Sequence, residues 1–385
     1  MAALQSAARA FTSTARVWLR DGSSGGVVTA LGGPAFAAAL GRTDIVFAGE
    51  THEQPDVLRL QMGLLEAVIA QRPRGLHLVL EHWTFDEQAQ LDAMLADPGA
   101  GGDRVTATGF VGIHAVARFC ARVAAGAGVP LRGYAAFPAR EVARAFLKPE
   151  TASAAWGGLL ADGCIDGGDA ERAAGLLAGS DAHYAFFEAL ITGQPEADGA
   201  AWGGGAGGGG SGGRDSGGGG FRRIFPAQTI KDVCMAAAVA RAYRELPPAR
   251  VGPVDNGAPA CRPGVVVVLA GTGHLDFGFG VPERVGALLG SGAHVPSLNG
   301  ASPSVGGDDG GAPTGGGPRQ LLVTVRPRQA RPGVLFASPV PADPAAWAPA
   351  RIAFPDGSQR VAGDVVYWYD HWEEEEEEVE DGACP

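Results

Sequence analysis

Positive charge is in short supply in this chain. Its 30 lysines and arginines are outnumbered by 42 aspartates and glutamates, giving a net charge of -12 and a pI near 5.1. No stretch gathers Lys and Arg into a stripe, so the electrostatic footprint of a nucleic-acid binder is missing and nucleic acid is excluded as a partner. Cysteine is scarce as well. Cys120, Cys164, Cys234, Cys261 and Cys384 are odd in number and scattered, with no C-x-x-C pair. This argues against a disulfide framework or a thiolate zinc site and fits a reducing compartment. Long apolar runs are absent: the longest strong one, Val265 to Ala270, falls far short of the roughly 18 to 20 residues that span a bilayer. A soluble protein without a transmembrane segment is expected. No G-x-x-x-x-G-K-[ST], G-x-S-x-G or H-E-x-x-H occurs, so the NTPase, α/β-hydrolase and zincin readings lose their main support.

Glycine and proline, in contrast, are abundant, with 61 and 27 residues respectively. Gly199 to Gly220 is nearly all glycine, and Gly290 to Gly317 is rich in Gly, Ser, Pro and Asp. Neither carries the apolar surface needed to offset ordering entropy, so both are expected to be disordered insertions in one domain spanning residues 16–372. Residues 373–385 read as an acidic, solvated tail. The first 20 residues hold three arginines (Arg9, Arg16 and Arg20), several Ser/Thr and no acid before Asp21, and about the first 15 are free for targeting. That bias suits an organellar targeting segment, a plastid ahead of a mitochondrion, with the cytoplasm as the alternative.

Between these segments short apolar runs alternate with helical patterns. Ile45 to Ala48, Leu76 to Leu80, Val129 to Tyr134 and Val265 to Gly271 read as buried strands. Helical periodicity covers Pro55 to Gln71 (Leu58, Met62, Leu65 and Ile69 on one face), Asp86 to Leu95, His114 to about Ala127, Arg140 to Lys148, Asp169 to Thr192 and Ala227 to Glu245. "ARVWLRDGSSGGVVT" reads as a hairpin. Continuous apolar strands separated by helices predict an α/β fold: a central, mostly parallel sheet flanked by helices on both faces, with long Gly-rich insertions.

Ligands of such sheets bind beyond the carboxyl ends of the strands, where loops diverge and helix N-termini point inward. There the sequence places Gly49-Glu50-Thr51-His52, then Glu81-His82-Trp83, then Tyr134 with Pro138 and Arg140, then Gly271-Thr272-Gly273-His274 with Asp276. Two of the four share the form Gly-x-x-His. Glu50 and His52 are expected to form one wall of a cleft that His274 faces, with Glu81 between them. Two imidazoles and one or two carboxylates suit a zinc, manganese or iron ion held by His52, His274 and Glu81, or a general acid–base pair; a haem asks for a single axial ligand and an apolar slot. His77, His114, His183, His294 and His371 read as structural, and Trp83 and Phe85 as core. Arg140 is a candidate for binding an anionic group.

Four ordered blocks carry a resemblance. "DIVFAGETHEQPDVLRLQMGLLEAV", "LVLEHWTFDEQAQLD", "FPAQTIKDVCMAAAVARAY" and "VVVVLAGTGHLDFGFGVPERV" are similar to the ChaN-like haem-binding uptake family of the wider Tiki/TraB superfamily, and "VAGDVVYWYD" is similar to its last strand. The resemblance covers residues 16 to 370, interrupted by the two insertions. It implies haem or another tetrapyrrole as ligand and partner, in some members as a homodimer with a tyrosine ligand to the iron. The alternative it implies is a metal-dependent hydrolase built on the paired Gly-x-x-His motifs, with Glu50 or Glu81 as the proton-accepting carboxylate and zinc, manganese or iron as the ion. A scaffold that kept the fold without the chemistry is a third reading. Carried over by position, Glu50, His52, Glu81, Lys231, Asp232 and His274 match the family, and Arg140 matches with a one-residue offset.

Overall fold

A computed structural model describes residues 15–21, 25–52, 54–71, 73–99, 112–192, 218–247, 264–290, 318–327, 351–354 and 359–369. The proposed targeting segment up to residue 14, the glycine-rich residues 199–217 and 291–317, and the acidic tail lie outside the described residues.

The architecture is α/β. β1 (Arg16–Asp21) and β2 (Gly25–Ala30) form the hairpin expected from the sequence, and α1 (Pro34–Gly41) follows. β3 (Ile45–Glu50), α2 (Pro55–Ala70), β4 (Leu76–Thr84), α3 (Gln88–Ala96), α4 (Gly112–Ala127) and β5 (Leu131–Phe137) make the first set of β-α units. α5 (Arg140–Ala145), α6 (Pro149–Ala161), α7 (Ala170–Gly175), α8 (Asp181–Thr192) and α9 (Gly218–Arg244) lead to β6 (Val265–Gly271) and α10 (Val281–Leu288). β7 (Gln320–Pro327), the small pair β8 (Arg351–Ala353) and β9 (Gln359–Val361), and β10 (Val365–Tyr369) complete the chain.

Eight strands form one sheet in the order β2-β1-β10-β7-β3-β6-β4-β5. All neighbours from β10 to β5 are parallel, whereas β1 runs antiparallel to both β10 and β2. The chain therefore moves outward from β3 to β4 and β5, then returns to insert β6 between β3 and β4. Such a reversal is where parallel sheets open a crevice at their carboxyl edge.

Alternation along the strands divides the core. Val46, Ala48, Leu78, Leu80, Val267 and Leu269 pack on the face covered by α2 and α4, and Ile45, Phe47, Val79, Val266 and Val268 pack on the face covered by α9 and α10. Successive side chains of a strand point to opposite faces, so each buried strand serves both layers.

Several element boundaries differ from those the sequence suggests, because pairing partners rather than local composition set strand ends. β3 continues past Ala48 because Gly49 and Glu50 pair with Ala270 and Gly271. β4 runs four residues beyond Leu80, through a register shift against β5 between Leu80 and Thr84. α9 begins at Gly218, inside the expected insertion, and keeps Pro226 within it. Asp169 to Thr192 is two helices, not one. On α2 the buried face takes in Val57, Leu60, Leu64 and Val68 together with Leu65 and Ile69 of the expected stripe, whereas Leu58 and Met62 are only partly buried.

Candidate functional site at the carboxyl edge of the sheet

Three adjacent strands, β3, β6 and β4, lead to one edge of the sheet, and the residues at, just before or just after their ends carry the chemistry. Glu50 closes β3 in register with Gly271 at the end of β6. The period of two sends Glu50 to the α2 face, continuing Val46 and Ala48, and Glu81 to the α9 face, continuing Val79. The site consequently has two halves, one on each side of the sheet.

On the α2 side, Glu50 is a buried carboxylate with both oxygens engaged. His52 Nδ1 donates to its Oε1 at 2.6 Å and His82 Nε2 donates to the same oxygen at 2.5 Å, while Gln61 Nε2 donates to Oε2 at 2.5 Å. Burial would raise the Glu50 pKa, but attraction to His82 and the hydrogen bonds from His52 and His82 outweigh it and hold the carboxyl well below its usual range. His82 is fully buried, whereas the His52 side chain is 37% exposed and lies on the cleft side. The two rings meet edge to face, with centroids 5.6 Å apart.

On the α9 side, Glu81 accepts the Gly271 backbone N–H at 2.5 Å through Oε2 and presents Oε1 to His274 Nε2 at 3.4 Å. His274 Nδ1 donates to Asp232 Oδ1 at 2.5 Å and lies 2.9 Å from the Gln228 side-chain amide. Gln228 and Asp232 are one helical turn apart on α9, which is why a single face of that helix supplies both. Burial opposes the charge on His274, but Glu81 and Asp232 more than compensate and raise its pKa. Asp232 is lowered in turn: burial is outweighed by His274, Arg284 and His183. Behind Asp232, His183 Nε2 stands 3.6 Å and Arg284 Nη1 3.9 Å from Oδ2. These two groups back Asp232 electrostatically, without a hydrogen bond to Oδ2.

The halves meet at Gly271. A Cβ at that position would lie 3.5 Å from both Glu81 Oε2 and His52 Nε2, in ordinary contact with both motifs. Leu190, at the end of α8, packs over Gly273, and with Ile191 and with Ile224, one turn before Gln228, it belongs to a small set of exposed large aliphatics, 38–42% accessible.

Of the residues singled out by sequence, Glu50, His52, Glu81, Asp232 and His274 come together. Lys231 sits 5.3 Å from the Phe137 ring, which in turn faces His274 at 6.3 Å. Arg140 is exposed at the start of α5, and none of the hydrogen bonds above involves it. His52, His274 and Glu81, expected to share an ion, do not converge as a metal-sized group; among the described residues the group whose ligand atoms lie within 4.8 Å of one another is Glu50, His52 and His82. Tyr134 lies within β5, and its hydroxyl bonds Glu245 and His77 rather than the cleft. Sequence reasoning missed His82, Gln61 and Arg284, and His183, read as structural, packs behind Asp232. His82 had a signal, since it follows Glu81 at a strand end and must point to the opposite face. Gln61 lies on the next helix, 11 residues after Glu50, but nothing in its helical spacing singled it out, and Arg284 comes from α10, far away in sequence.

The family described as "Haem-binding uptake, Tiki superfamily, ChaN" matches residues 36–112 and 163–285, just over half of the chain. No curated protein matches. Among solved structures, ChaN of Campylobacter jejuni, described with cofacial haem binding, superposes with a TM-score of 0.44 at 10% identity, covering 92% of this chain and 98% of that one. An erythromycin esterase, EreC, mutated from histidine to asparagine and in an open conformation, gives a TM-score of 0.37 at 11% identity, covering 87% and 92%. The matched segments contain β3, β4, α9 and β6 with every residue of both half-sites, and the chain belongs to the ChaN-like haem-binding uptake family of the Tiki superfamily.

Proposed function

We propose that this protein binds haem or a related tetrapyrrole at the carboxyl edge of the sheet. Beyond family membership, the observation that supports it is His52, a half-exposed imidazole at the rim of an otherwise buried polar cluster. Haem needs one axial ligand and apolar surface. His52 supplies the first, its orientation set by Glu50, and the exposed aliphatics Leu190, against Gly273, and Ile224, one turn before Gln228 on α9, supply the second. When bound, haem contributes the redox and axial-ligand chemistry of its iron; the chain contributes the pocket. Tyr369 is the competing ligand, although it is buried and its hydroxyl donates to Thr51, between Glu50 and His52, at 3.0 Å, a bond it would give up to reach an iron. The test is a haemin titration of the protein lacking residues 1–15, followed by absorbance, with elemental analysis beside it. Saturation near one haem per chain supports the reading and a featureless, non-saturating titration defeats it. A Soret band that moves in His52→Ala and stays in Tyr369→Phe identifies the imidazole as ligand, and the reverse pattern identifies the tyrosine. The reading extends to a homodimer and to an organelle, a plastid ahead of a mitochondrion, on the composition of the first 15 residues; light scattering with and without haem and a fluorescent fusion test these.

A second reading, a hydrolase of amides or esters, is favoured by the buried Asp232–His274–Glu81 relay, which a passive carrier does not require. Asp232 holds the proton of His274 at Nδ1, and Glu81, fixed by the Gly271 N–H, faces Nε2. That pair can take a proton from a nucleophilic water and return it to a leaving group. Glu50 is poorly suited to that role because both its oxygens already accept strong hydrogen bonds.

A further inference from the structure

We infer that the acidic residues 373–381 of this chain fold back onto the carboxyl edge of the sheet and lay their carboxylates against Lys231 and Arg140, at the mouth of the cleft. The occupant is the chain's own tail, and the contact stands whether or not the cleft takes haem.

The chain has only two lysines, Lys148 and Lys231. Lys231 lies on the cleft side of α9, between Gln228 and Asp232, which both contact His274. Its ammonium stands 5.3 Å from the centre of the Phe137 ring, and that ring meets His274 at 6.3 Å. No carboxylate of the described residues pairs with it. The nearest acids are committed elsewhere: Asp232 Oδ1 and Glu81 Oε1 face His274, and Glu81 Oε2 accepts the Gly271 N–H. Arg140 follows three residues after Phe137, exposed at the start of α5, and it too forms no ion pair with a described residue, although the exposed Glu141 is its neighbour in sequence. Two cations without an acid partner at the mouth of a cleft attract an anion.

Topology delivers one. β10 runs parallel to β7, and β7 to β3, so Tyr369 ends at the same edge of the sheet as Glu50, with its hydroxyl on Thr51. The residues that follow Tyr369 therefore leave the sheet beside the cleft. Five strand spacings separate β10 from β5, which carries Phe137. At about 4.8 Å for each spacing the distance is about 24 Å. An extended chain covers roughly 3.3–3.6 Å per residue, so about seven residues beyond Tyr369 suffice. Carboxylates from Glu376 onward can meet Lys231 and Arg140.

Charge selects this place over others. Nine of the 42 acidic residues fall between Asp370 and Asp381 with no lysine or arginine among them, leaving 33 acids against 30 bases in the rest of the chain. Elsewhere on the domain Arg20, Arg132, Arg244, Arg319 and Arg326 already face Asp364, Glu245, Asp169, Asp44 and Asp276. A single exposed ion pair contributes little and is screened by salt. A tethered run of carboxylates differs in two ways: any of several can fill the contact, and the tether sets a local concentration on the order of millimolar. The contact is consequently sensitive to salt, and it stands in the way of any anion that enters the cleft from the Phe137 side.

The experiment couples carboxylates to amines on the full chain with a water-soluble carbodiimide, which inserts no spacer, and identifies the joined peptides by mass spectrometry; with two lysines the products are few. The expected product, in the monomer fraction, joins Lys231 to a carboxylate between Glu376 and Asp381, and its yield falls at least about fivefold in about 0.5 M salt. Arg140→Gln should lower the yield at least about twofold. Glu376→Gln, Glu377→Gln, Glu378→Gln, Glu380→Gln and Asp381→Asn made together should remove the product. The inference is overturned if Lys231 stays uncoupled or joins a carboxylate of the domain instead, if the tail couples to Lys148 as readily, or if the yield ignores salt. A product confined to the dimer fraction overturns it as well, since the occupant is then the tail of a second copy.

Discussion

His183 shows what burial does to a single titratable group. It is fully enclosed between the Phe225 and Phe279 rings, at 5.0 and 6.0 Å, with Asp232, Arg284 and Glu283 around it. Burial first, then the nearby Arg284 and His274, outweigh the attraction of Asp232 and push its pKa down to about 3. Below its ordinary value of 6.5 the unfolded chain binds a proton there that the folded chain refuses. This contribution to stability is therefore complete above pH 6.5 and is lost as pH falls toward 3, at about 1.4 kcal/mol per pH unit. Asp276, Glu283 and Asp364, raised by burial, act in the opposite sense at the acid end of that range. Comparison with His183→Gln isolates the histidine: urea unfolding from pH 4 to 7 should show the difference in stability between the two proteins changing with that slope, and a difference independent of pH would refute the assignment. The sequence offered His183 only as a structural residue, and such it remains, as packing behind Asp232. Its link to the site could not be read from the chain, because His183, Asp232 and His274 come from three separate elements.

At the scale of elements, the turn after β6 shows how a backbone places a side chain. Phe277 takes a left-handed conformation (φ 59°), and Gly278 and Gly280 follow at φ 74° and 65°. These residues double the chain back so that α10 starts beneath His274. A Cβ on Gly280 would stand 2.4 Å from the His274 carbonyl oxygen and 3.3 Å from Asp232 Oδ1. Gly280→Ala meets both a disfavoured φ and a backbone clash that no rotamer relieves. We expect at least about 1–3 kcal/mol of destabilisation from the strain alone, together with weakened binding at the cleft, measured by thermal unfolding and by the haemin titration. An unchanged melting temperature would show that the turn has another conformation. The Gly-x-x-His pattern was legible because a strand end, a glycine and an imidazole are adjacent in sequence. The extension of β4 beyond Leu80 was not, since its end depends on a shifted register with β5.

For the whole molecule, the length of its connections sets an entropy term that belongs to no single contact. No helix among the described residues is long and apolar enough to cross a membrane. The glycine-rich residues 199–215 precede α9, whose buried run from Ile230 to Ala242 is a main wall of one hydrophobic layer. Closing a flexible connection costs entropy that grows only with the logarithm of its length, so replacing residues 199–215 with a six-residue Gly-Ser linker should change the unfolding free energy by less than about 1 kcal/mol. Chemical denaturation checks this, and a loss of several kcal/mol would show that the segment packs on the domain.

From the sequence alone came the α/β class, four of the buried strands (β3, β4, β5 and β6, though not β7), the N-terminal hairpin and five residues of the candidate site, all carried by patterns local enough to be written in consecutive residues: apolar runs, helical spacing, glycines beside ionisable groups. Tertiary structure decided the rest. Inserting β6 between β3 and β4 made three strand ends neighbours, and the two-residue period then sent Glu50 and Glu81 to opposite faces of the sheet. That division, and not spacing along the chain, gave Glu50 the partners His82 and Gln61 and left His274 to Asp232. Which histidines share a carboxylate depends on strand order, and strand order is set by long-range packing that no short stretch of sequence encodes.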